Sequence, residues 1–107
     1  MSGFFLFCSL NQSFCIVNKK ACSVWIKGRV QHVGFRFHAR EAAIGFGVKG
    51  FIRNRPDGSV YAEVEGEVLA VDLFIQWCKK GPSWARVDNA LVCDIPLQDF
   101  EQFTITS

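Results

Sequence analysis

The sequence lacks the cysteine patterns that bind metals and lacks a hydrophobic run long enough to span a membrane. No C-x-x-C pair occurs, and neither His32 nor His38 lies near two cysteines at a zinc-finger spacing. The five cysteines are an odd number, so at least one cannot form a disulfide within the chain. Free buried thiols are typical of a reducing compartment. We therefore expect a cytoplasmic protein without a metal site.

The apolar N-terminal segment is too short and too interrupted for a membrane helix. Asn11-Gln12-Ser13 breaks the run, and Lys19-Lys20 follows it, whereas a signal peptide carries its basic residues first. We interpret residues 1–21 as a loose extension and predict one domain over residues 22–107. A start codon assigned too early explains the segment equally well, and export is a minority alternative. We expect no membrane partner.

Acidic residues are scarce in the first half of the predicted domain. Residues 22–55 contain seven lysines and arginines but one acid, Glu41, whereas residues 56–107 contain three basic residues and nine acids. This division favours a local anion-binding surface over a uniformly basic nucleic-acid binder. We expect a small-molecule ligand, no nucleic-acid partner and a monomer.

Hydrophobic periodicity predicts the order β-α-β-β-α-β followed by a C-terminal strand. The first helix is predicted to begin at Phe35, to end near Gly45 or Gly47, and to bury one face that contains Phe35, Ala39 and Ala43. The second helix is predicted over residues 67–80, and the strands over residues 23–27, 48–53, 59–65, 86–93 and 100–106. This order is that of a ferredoxin-like α+β sandwich, an antiparallel sheet with two helices on one face.

The connection between the first strand and the first helix is suited to an anion. We call residues 28–36 the anion loop; it contains Gly28 and Gly34 and ends at Arg36, in the first helical turn. A strand that passes through such a turn into a helix directs backbone N–H groups and the positive helix end at one point. Arg36 adds a planar group with five donors. The sequence therefore predicts a phosphate or carboxylate pocket.

Two motifs resemble the acylphosphatase family. They are Gly28-x-Val30-Gln31-x-Val33-x-Phe35-Arg36 and Gly50-Phe51-Ile52-Arg53-Asn54, the second followed by Asp57-Gly58-Ser59-Val60. Gly81-Pro82 before Ala85-x-Val87 is a further family feature, and the resemblance runs from about Cys22 to the C-terminus. Two long motifs in the family's order and spacing are a specific signal. The family pattern differs at His32, where it has glycine.

The resemblance implies metal-independent hydrolysis of acyl phosphates to a carboxylate and inorganic phosphate, without a cofactor. It implies that Arg36 holds the phosphate and that Asn54 orients the attacking water. It also implies that backbone amides of the anion loop bind the phosphate together with Arg36, namely those of Gln31, His32, Val33, Gly34 and Phe35.

The same residues have structural interpretations. Arg36 can be a surface arginine paired with a carboxylate, and Asn54 can brace the turn that follows it. If φ is negative at His32, its side chain points out of the loop and activity is ordinary. If φ is positive, the residue is strained, and its imidazole crowds the phosphate or adds a donor when protonated. We predict an intact but weakened site. His38 is predicted to be solvated, and the three tryptophans are predicted to serve packing.

A non-catalytic function is the alternative that the sequence leaves open. A ferredoxin-like module can bind RNA or another anionic ligand through aromatic residues on its sheet, and Gly50-Phe51-Ile52-Arg53 weakly resembles such a strand. An acylphosphatase-like domain also occurs in larger maturation proteins that use carbamoyl phosphate, where paired C-x-x-C motifs follow it. Because such motifs are missing here, we expect a domain that stands alone.

Overall fold

Five strands and two helices follow one another in a computed structural model that describes residues 18–106. In chain order they are β1 (Lys19–Arg29), α1 (Phe35–Phe46), β2 (Lys49–Asn54), β3 (Val60–Glu67), α2 (Val68–Lys80), β4 (Arg86–Ile95) and β5 (Phe103–Ile105). The strands form one sheet in the order β4-β1-β3-β2-β5. The predicted ferredoxin-like α+β fold is confirmed.

The hydrophobic core lies between the two helices and one face of the sheet. Alternate residues of β1, such as Val24 and Ile26, are fully buried because successive side chains of a strand point to opposite faces. From α1 the core receives Phe35, Ala39 and Ala43, which lie one turn apart along the helix. The apolar face predicted for this helix is therefore confirmed, and so is its end beside Gly47.

The four strands β1 to β4 pair antiparallel as predicted, and the C-terminal strand joins them in a mixed sheet. β5 pairs with β2 in parallel, and it spans three residues rather than the predicted 100–106. The reason is the connection over residues 96–102, which carries the chain from one edge of the sheet to the other across the open face. The buried carboxylate of Glu65 fixes this connection by accepting the N–H of Gln98 at 2.6 Å and that of Asp99 at 3.2 Å.

The first strand begins earlier than the sequence suggested. Lys19 to Ala21, which the sequence assigned to the extension, pair with β3 opposite Glu67 to Glu65. Ala21 is buried, and the Nζ of Lys20 lies 2.5 Å from a carboxylate oxygen of Asp72 in α2. The remainder of the predicted extension, residues 1–17, lies outside the described residues.

A chain that begins at Asn18 is expected to keep the thermal midpoint and the activity of the full chain. The carbonyl oxygen of Asn18 accepts the N–H of Val68 at 3.1 Å, so this start preserves the contact with α2. A chain that begins at Cys22 is the matched comparison. It loses three pairs with β3, one pair with β4 and the Lys20–Asp72 ion pair, and it should melt several degrees lower. Circular dichroism melts of the three chains test this, and a large loss in the Asn18 chain would show that residues 1–17 pack into the core.

The cysteines within residues 18–106 are free thiols, as expected, but they are not all buried. Cys22 and Cys78 are buried and Cys93 is exposed. Burial raises the pKa of Cys78, and burial together with a hydrogen bond to Asp94 raises the pKa of Cys22. Cys8 and Cys15 lie outside the described residues. As for membrane spans, neither α1 nor α2 has the length and apolar character that a crossing requires.

Candidate active site

The anion loop leaves β1 at a bulge and enters α1 through residues with positive φ. The pairing of β1 with β4 shifts register between Lys27 and Gly28, and a Cβ at Gly28 would lie 2.1 Å from the carbonyl oxygen of Arg86. Further along, His32 has φ 63° and Gly34 has φ 75°, one on each side of Val33. Alternating left-handed residues turn successive N–H groups towards one side, which is a backbone arrangement that binds anions.

The N-terminus of α1 adds donors to this loop. The N–H of His38 donates to the carbonyl oxygen of Gly34 at 3.1 Å, and this is where the helical hydrogen bonds begin. The N–H groups of Phe35, Arg36 and Phe37 come before it, so they have no acceptor in the preceding turn. These groups carry the positive end of the helix dipole. The loop and the helix start therefore offer a set of donors at one place.

A pocket of about 220 Å³ lies directly in front of these donors. It combines residues from the anion loop, the first turn of α1, the end of β2 and β5. The residues that line it are Val30, His32, Gly34, Phe35, Arg36, Phe37, Asn54 and Ile105. Arg36 and Asn54, the two residues singled out from the sequence, thus meet in one pocket although they lie on different elements. The side chains of Gln31 and Val33 do not line it.

Arg36 is not engaged in an ion pair within residues 18–106. The ion pairs in this part of the protein are Lys20–Asp72 and Arg86–Asp88. Glu41, the acid nearest to Arg36 in sequence, forms no ion pair within residues 18–106. The structural interpretation of Arg36 as the partner of a carboxylate is therefore not what the structure shows. A half-buried guanidinium group that faces a pocket without a carboxylate is available for an anionic ligand.

Asn54 presents an unused acceptor to the same pocket. Its side-chain Oδ1 is buried and accepts no hydrogen bond from residues 18–106. The turn after it is fixed by other groups: the N–H of Arg55 donates to the carbonyl of Ser59 at 2.8 Å, and the N–H of Ser59 donates to Asp57 at 2.9 Å. The amide oxygen of Asn54 is therefore not a brace for that turn. A buried oxygen without a donor indicates that a ligand or a water supplies one.

Gln31 joins the two halves of the pocket in a way that the sequence did not reveal. Its side-chain Nε2 donates to the carbonyl of Arg55 at 2.7 Å and to that of Ser59 at 2.8 Å. These bonds connect the anion loop to the turn that follows Asn54, and so they fix the distance between Arg36 and Asn54. The sequence placed Gln31 in the loop but gave no sign of this partner, because the contact joins segments far apart in the chain.

A larger groove of about 530 Å³ lies on the open face of the sheet, beside Phe51, Arg53 and Phe100. No helix N-terminus lies among the residues that line it, so we place the site in the smaller pocket. Within residues 18–106 no three His, Cys, Asp or Glu side chains lie together as metal ligands would.

The fold and this pocket define a class of protein, a ferredoxin-like α+β domain with an anion pocket at the start of its first helix. The model of the acylphosphatase family matches residues 22–105 of the chain. The chain is 44% identical to an acylphosphatase of Syntrophus aciditrophicus (strain SB) over 87 residues, which is 80% of this chain and 91% of that protein. The chain therefore belongs to the acylphosphatase family.

Solved structures agree with this assignment. An acylphosphatase from Coxiella burnetii superposes with a TM-score of 0.80 and 28% identity, over 83% of this chain and 94% of that chain. Full-length HypF in its phosphate- and nucleotide-bound form matches with a TM-score of 0.79 and 28% identity, over 89% of this chain and 13% of that chain. The same fold thus occurs both in small proteins and as a part of a large one.

Proposed function

We propose that this protein is a hydrolase that converts acyl phosphates to a carboxylate and inorganic phosphate. Membership of the acylphosphatase family supports the activity. The observation that carries the proposal is the convergence of Arg36 and Asn54 on one pocket beside the N-terminus of α1. The comparisons give no support to the alternative of an RNA-binding module. Phe51, the aromatic residue behind that alternative, packs against Phe100 of the connection that crosses the open face.

In the proposed complex, Arg36 and backbone N–H groups hold the three phosphoryl oxygens. The guanidinium group offers two parallel donors, and the N–H groups of the anion loop, from Gln31 to Phe35, surround the remaining oxygens. Negative charge on these oxygens is redistributed in the transition state of phosphoryl transfer. Donors that are already in place when the charge shifts stabilise it without reorganisation.

The unpaired Oδ1 of Asn54 is proposed to accept a hydrogen bond from the attacking water. The water oxygen forms a bond to phosphorus while the bond between phosphorus and the acyl oxygen breaks. The acyl oxygen keeps the electron pair and leaves as a carboxylate, and the water proton passes to the phosphate product or to solvent. Because an amide is a weak base, Asn54 acts by orientation, which is the kind of contribution that positioning makes to such reactions.

The leaving group explains why so few residues suffice. Carboxylic acids have pKa values of about 4, so a carboxylate departs without a proton from a general acid. The proposed reaction therefore needs neither a protein nucleophile nor a metal. Phe37 and Ile105 are about half and one third exposed at the rim of the pocket, and they offer an apolar surface to the acyl group. We also propose that the protein acts as a monomer and that it acts in the cytoplasm. The free thiols within residues 18–106 support the second of these proposals.

Release of inorganic phosphate from benzoyl phosphate in the presence of EDTA tests this proposal. We expect steady turnover, because the acyl leaving group needs no acid. The matched substrate is p-nitrophenyl phosphate, a monoester with a poorer leaving group, which should be hydrolysed far more slowly. Equal rates on the two compounds, or turnover of benzoyl phosphate that EDTA abolishes, would contradict the mechanism.

The strain at His32 gives a further prediction. A residue other than glycine with φ 63° costs about 1–3 kcal/mol, and glycine removes that cost while adding about 0.5–1 kcal/mol of chain entropy. His32→Gly should therefore raise the free energy of unfolding by about 1 kcal/mol and hold or raise kcat/KM, since the exposed imidazole no longer crowds the phosphate.

A matched control for His32 exists elsewhere in the fold. Asp99 is the other non-glycine residue with positive φ in residues 18–106, at 59°, and it lies away from the pocket. Asp99→Gly should raise stability without changing kinetics. Urea titrations and steady-state kinetics of both variants make the comparison. A His32→Gly enzyme that is stable but nearly inactive would show that the imidazole takes part in the reaction.

A further inference from the structure

Trp84 contacts the anion loop from outside the pocket. It lies between α2 and β4, is 55% exposed, and its indole N–H donates to the carbonyl oxygen of Val33. Its ring and the imidazole of His38 pack edge to face, with 5.0 Å between the ring centroids and 71° between the planes. His38 is half-buried and is therefore less solvated than the sequence suggested. Trp84 was predicted to serve packing, but more than half of its surface is open to solvent.

The hydrogen bond to Val33 also determines the direction of the next N–H group. The carbonyl of Val33 and the N–H of Gly34 belong to one planar peptide unit, in which a trans bond makes the two groups point in opposite directions. Gly34 borders the pocket, and Trp84 does not. When the indole holds the carbonyl on its own side of the loop, the N–H of Gly34 points to the other side, where the pocket lies.

This peptide unit needs a restraint more than its neighbours do. Gly34 has φ 75° and no Cβ, so its backbone reaches many conformations at little cost. Trp84 is well placed to supply the restraint because its own segment is short and hydrogen-bonded. The N–H of Ala85 donates to the carbonyl of Pro82 at 3.0 Å, and the N–H of Gly81 donates to that of Trp77 at 2.7 Å.

We propose that Trp84 is a positioning residue that fixes the Val33–Gly34 peptide so that the N–H of Gly34 binds the substrate phosphate. The inference rests on the proposed function, and it assigns a role to a residue outside the pocket. Trp84 does not touch the phosphate itself. It acts through the backbone of the anion loop, and the contact with His38 keeps the indole ring at the angle that its hydrogen bond requires.

Trp84→Phe is the variant that isolates the hydrogen bond, because phenylalanine keeps a ring against His38 and loses the N–H donor. Without the restraint, the Gly34 peptide spends part of its time turned away from the pocket. We expect the inhibition constant of inorganic phosphate to rise and kcat/KM to fall, each by about 2- to 10-fold, which corresponds to the net loss of one hydrogen bond. The thermal midpoint should change little, since Trp84 is largely exposed.

Tyr61→Phe is the matched control. The hydroxyl of Tyr61 donates to a carboxylate oxygen of Glu63 at 2.8 Å, and Tyr61 does not line the pocket, so this variant also loses one aromatic side-chain hydrogen bond, but not one to the Gly34 peptide. Its phosphate inhibition constant should stay near the wild-type value. Equal weakening of phosphate binding in both variants, or no weakening in Trp84→Phe, would overturn the proposal. If the wild-type protein itself released no phosphate, the proposed function would fail instead, so the two failures are distinguishable.

The indole N–H of Trp84 provides a direct spectroscopic readout. In protein labelled with ¹⁵N, its resonance is identified by its absence from the spectrum of Trp84→Phe. Titration with inorganic phosphate should shift this resonance, because the peptide whose carbonyl accepts the indole N–H binds the phosphate through the N–H of Gly34. The midpoint of the titration should equal the kinetic inhibition constant. A resonance that does not move at saturating phosphate would show that the indole and the anion are not coupled.

Discussion

Arg36→Lys is expected to lower kcat/KM by about 100- to 1,000-fold, and Arg36→Ala by at least as much. Loss of one preorganised donor at the reacting group typically costs about 2.7–4 kcal/mol of barrier. Lysine keeps the charge but not the planar pair of donors that matches two phosphoryl oxygens. Arg36 faces the pocket without an ion-pair partner in residues 18–106, so its replacement breaks no ion pair there. The fall in kcat/KM therefore reports the lost contacts with the substrate. Initial rates over a range of benzoyl phosphate concentrations measure the effect.

Arg40→Lys is the matched control for this experiment. Arg40 lies one turn further along α1, is exposed, and does not line the pocket. The variant makes the same arginine-to-lysine change on the same helix. Its kcat and KM should equal those of the wild type. Activity of Arg36→Ala within a few-fold of wild type would end the assignment of this pocket as the active site.

Asn54→Ala is expected to lower kcat by about 100-fold while leaving the inhibition constant of inorganic phosphate nearly unchanged. The reason is that different groups perform the two tasks. Arg36 and the N–H groups bind the phosphate, whereas the buried Oδ1 of Asn54 orients the water. Phosphate inhibition and kcat are measured on the same enzyme preparations. A large loss of phosphate affinity with unchanged turnover of bound substrate would show that Asn54 binds the phosphate and does not orient the water.

Asn89→Ala supplies the control for Asn54. Asn89 is an exposed residue of β4 that does not line the pocket, so its replacement removes an amide without touching the proposed site. Its kcat and its phosphate inhibition constant should both match the wild type. The comparison separates the effect of losing an amide in the pocket from that of losing one on the surface.

The elements of the fold could be predicted from the sequence because each depends on local periodicity. The face of α1 that contains Phe35, Ala39 and Ala43 repeats at the helical spacing, and the alternation in β1 is that of a strand with one buried face. The positions of Arg36 and Asn54 could be predicted for a related reason. Each lies at the end of an element, and the family resemblance assigned their roles.

The features that the sequence did not reveal depend on contacts between distant segments. The parallel pairing of β5 follows from a connection held by Glu65, and the earlier start of β1 follows from its pairing with β3. The hydrogen bonds of Gln31 and of Trp84 to the two loops of the pocket are of the same kind. The residues next to each of these positions in the sequence do not indicate a partner far away in the chain. Such contacts become visible only in the folded structure.

Hydrolysis of benzoyl phosphate in water enriched in ¹⁸O, with EDTA present, tests the central claim most directly. If Asn54 orients a water for attack at phosphorus, the label must appear in inorganic phosphate, and benzoate must contain none above the uncatalysed control. Mass spectrometry of both products gives the answer. Label in benzoate would mean that water attacks the acyl carbon, and a pocket built around the phosphate by Arg36 and the anion loop would then be the wrong explanation of the reaction.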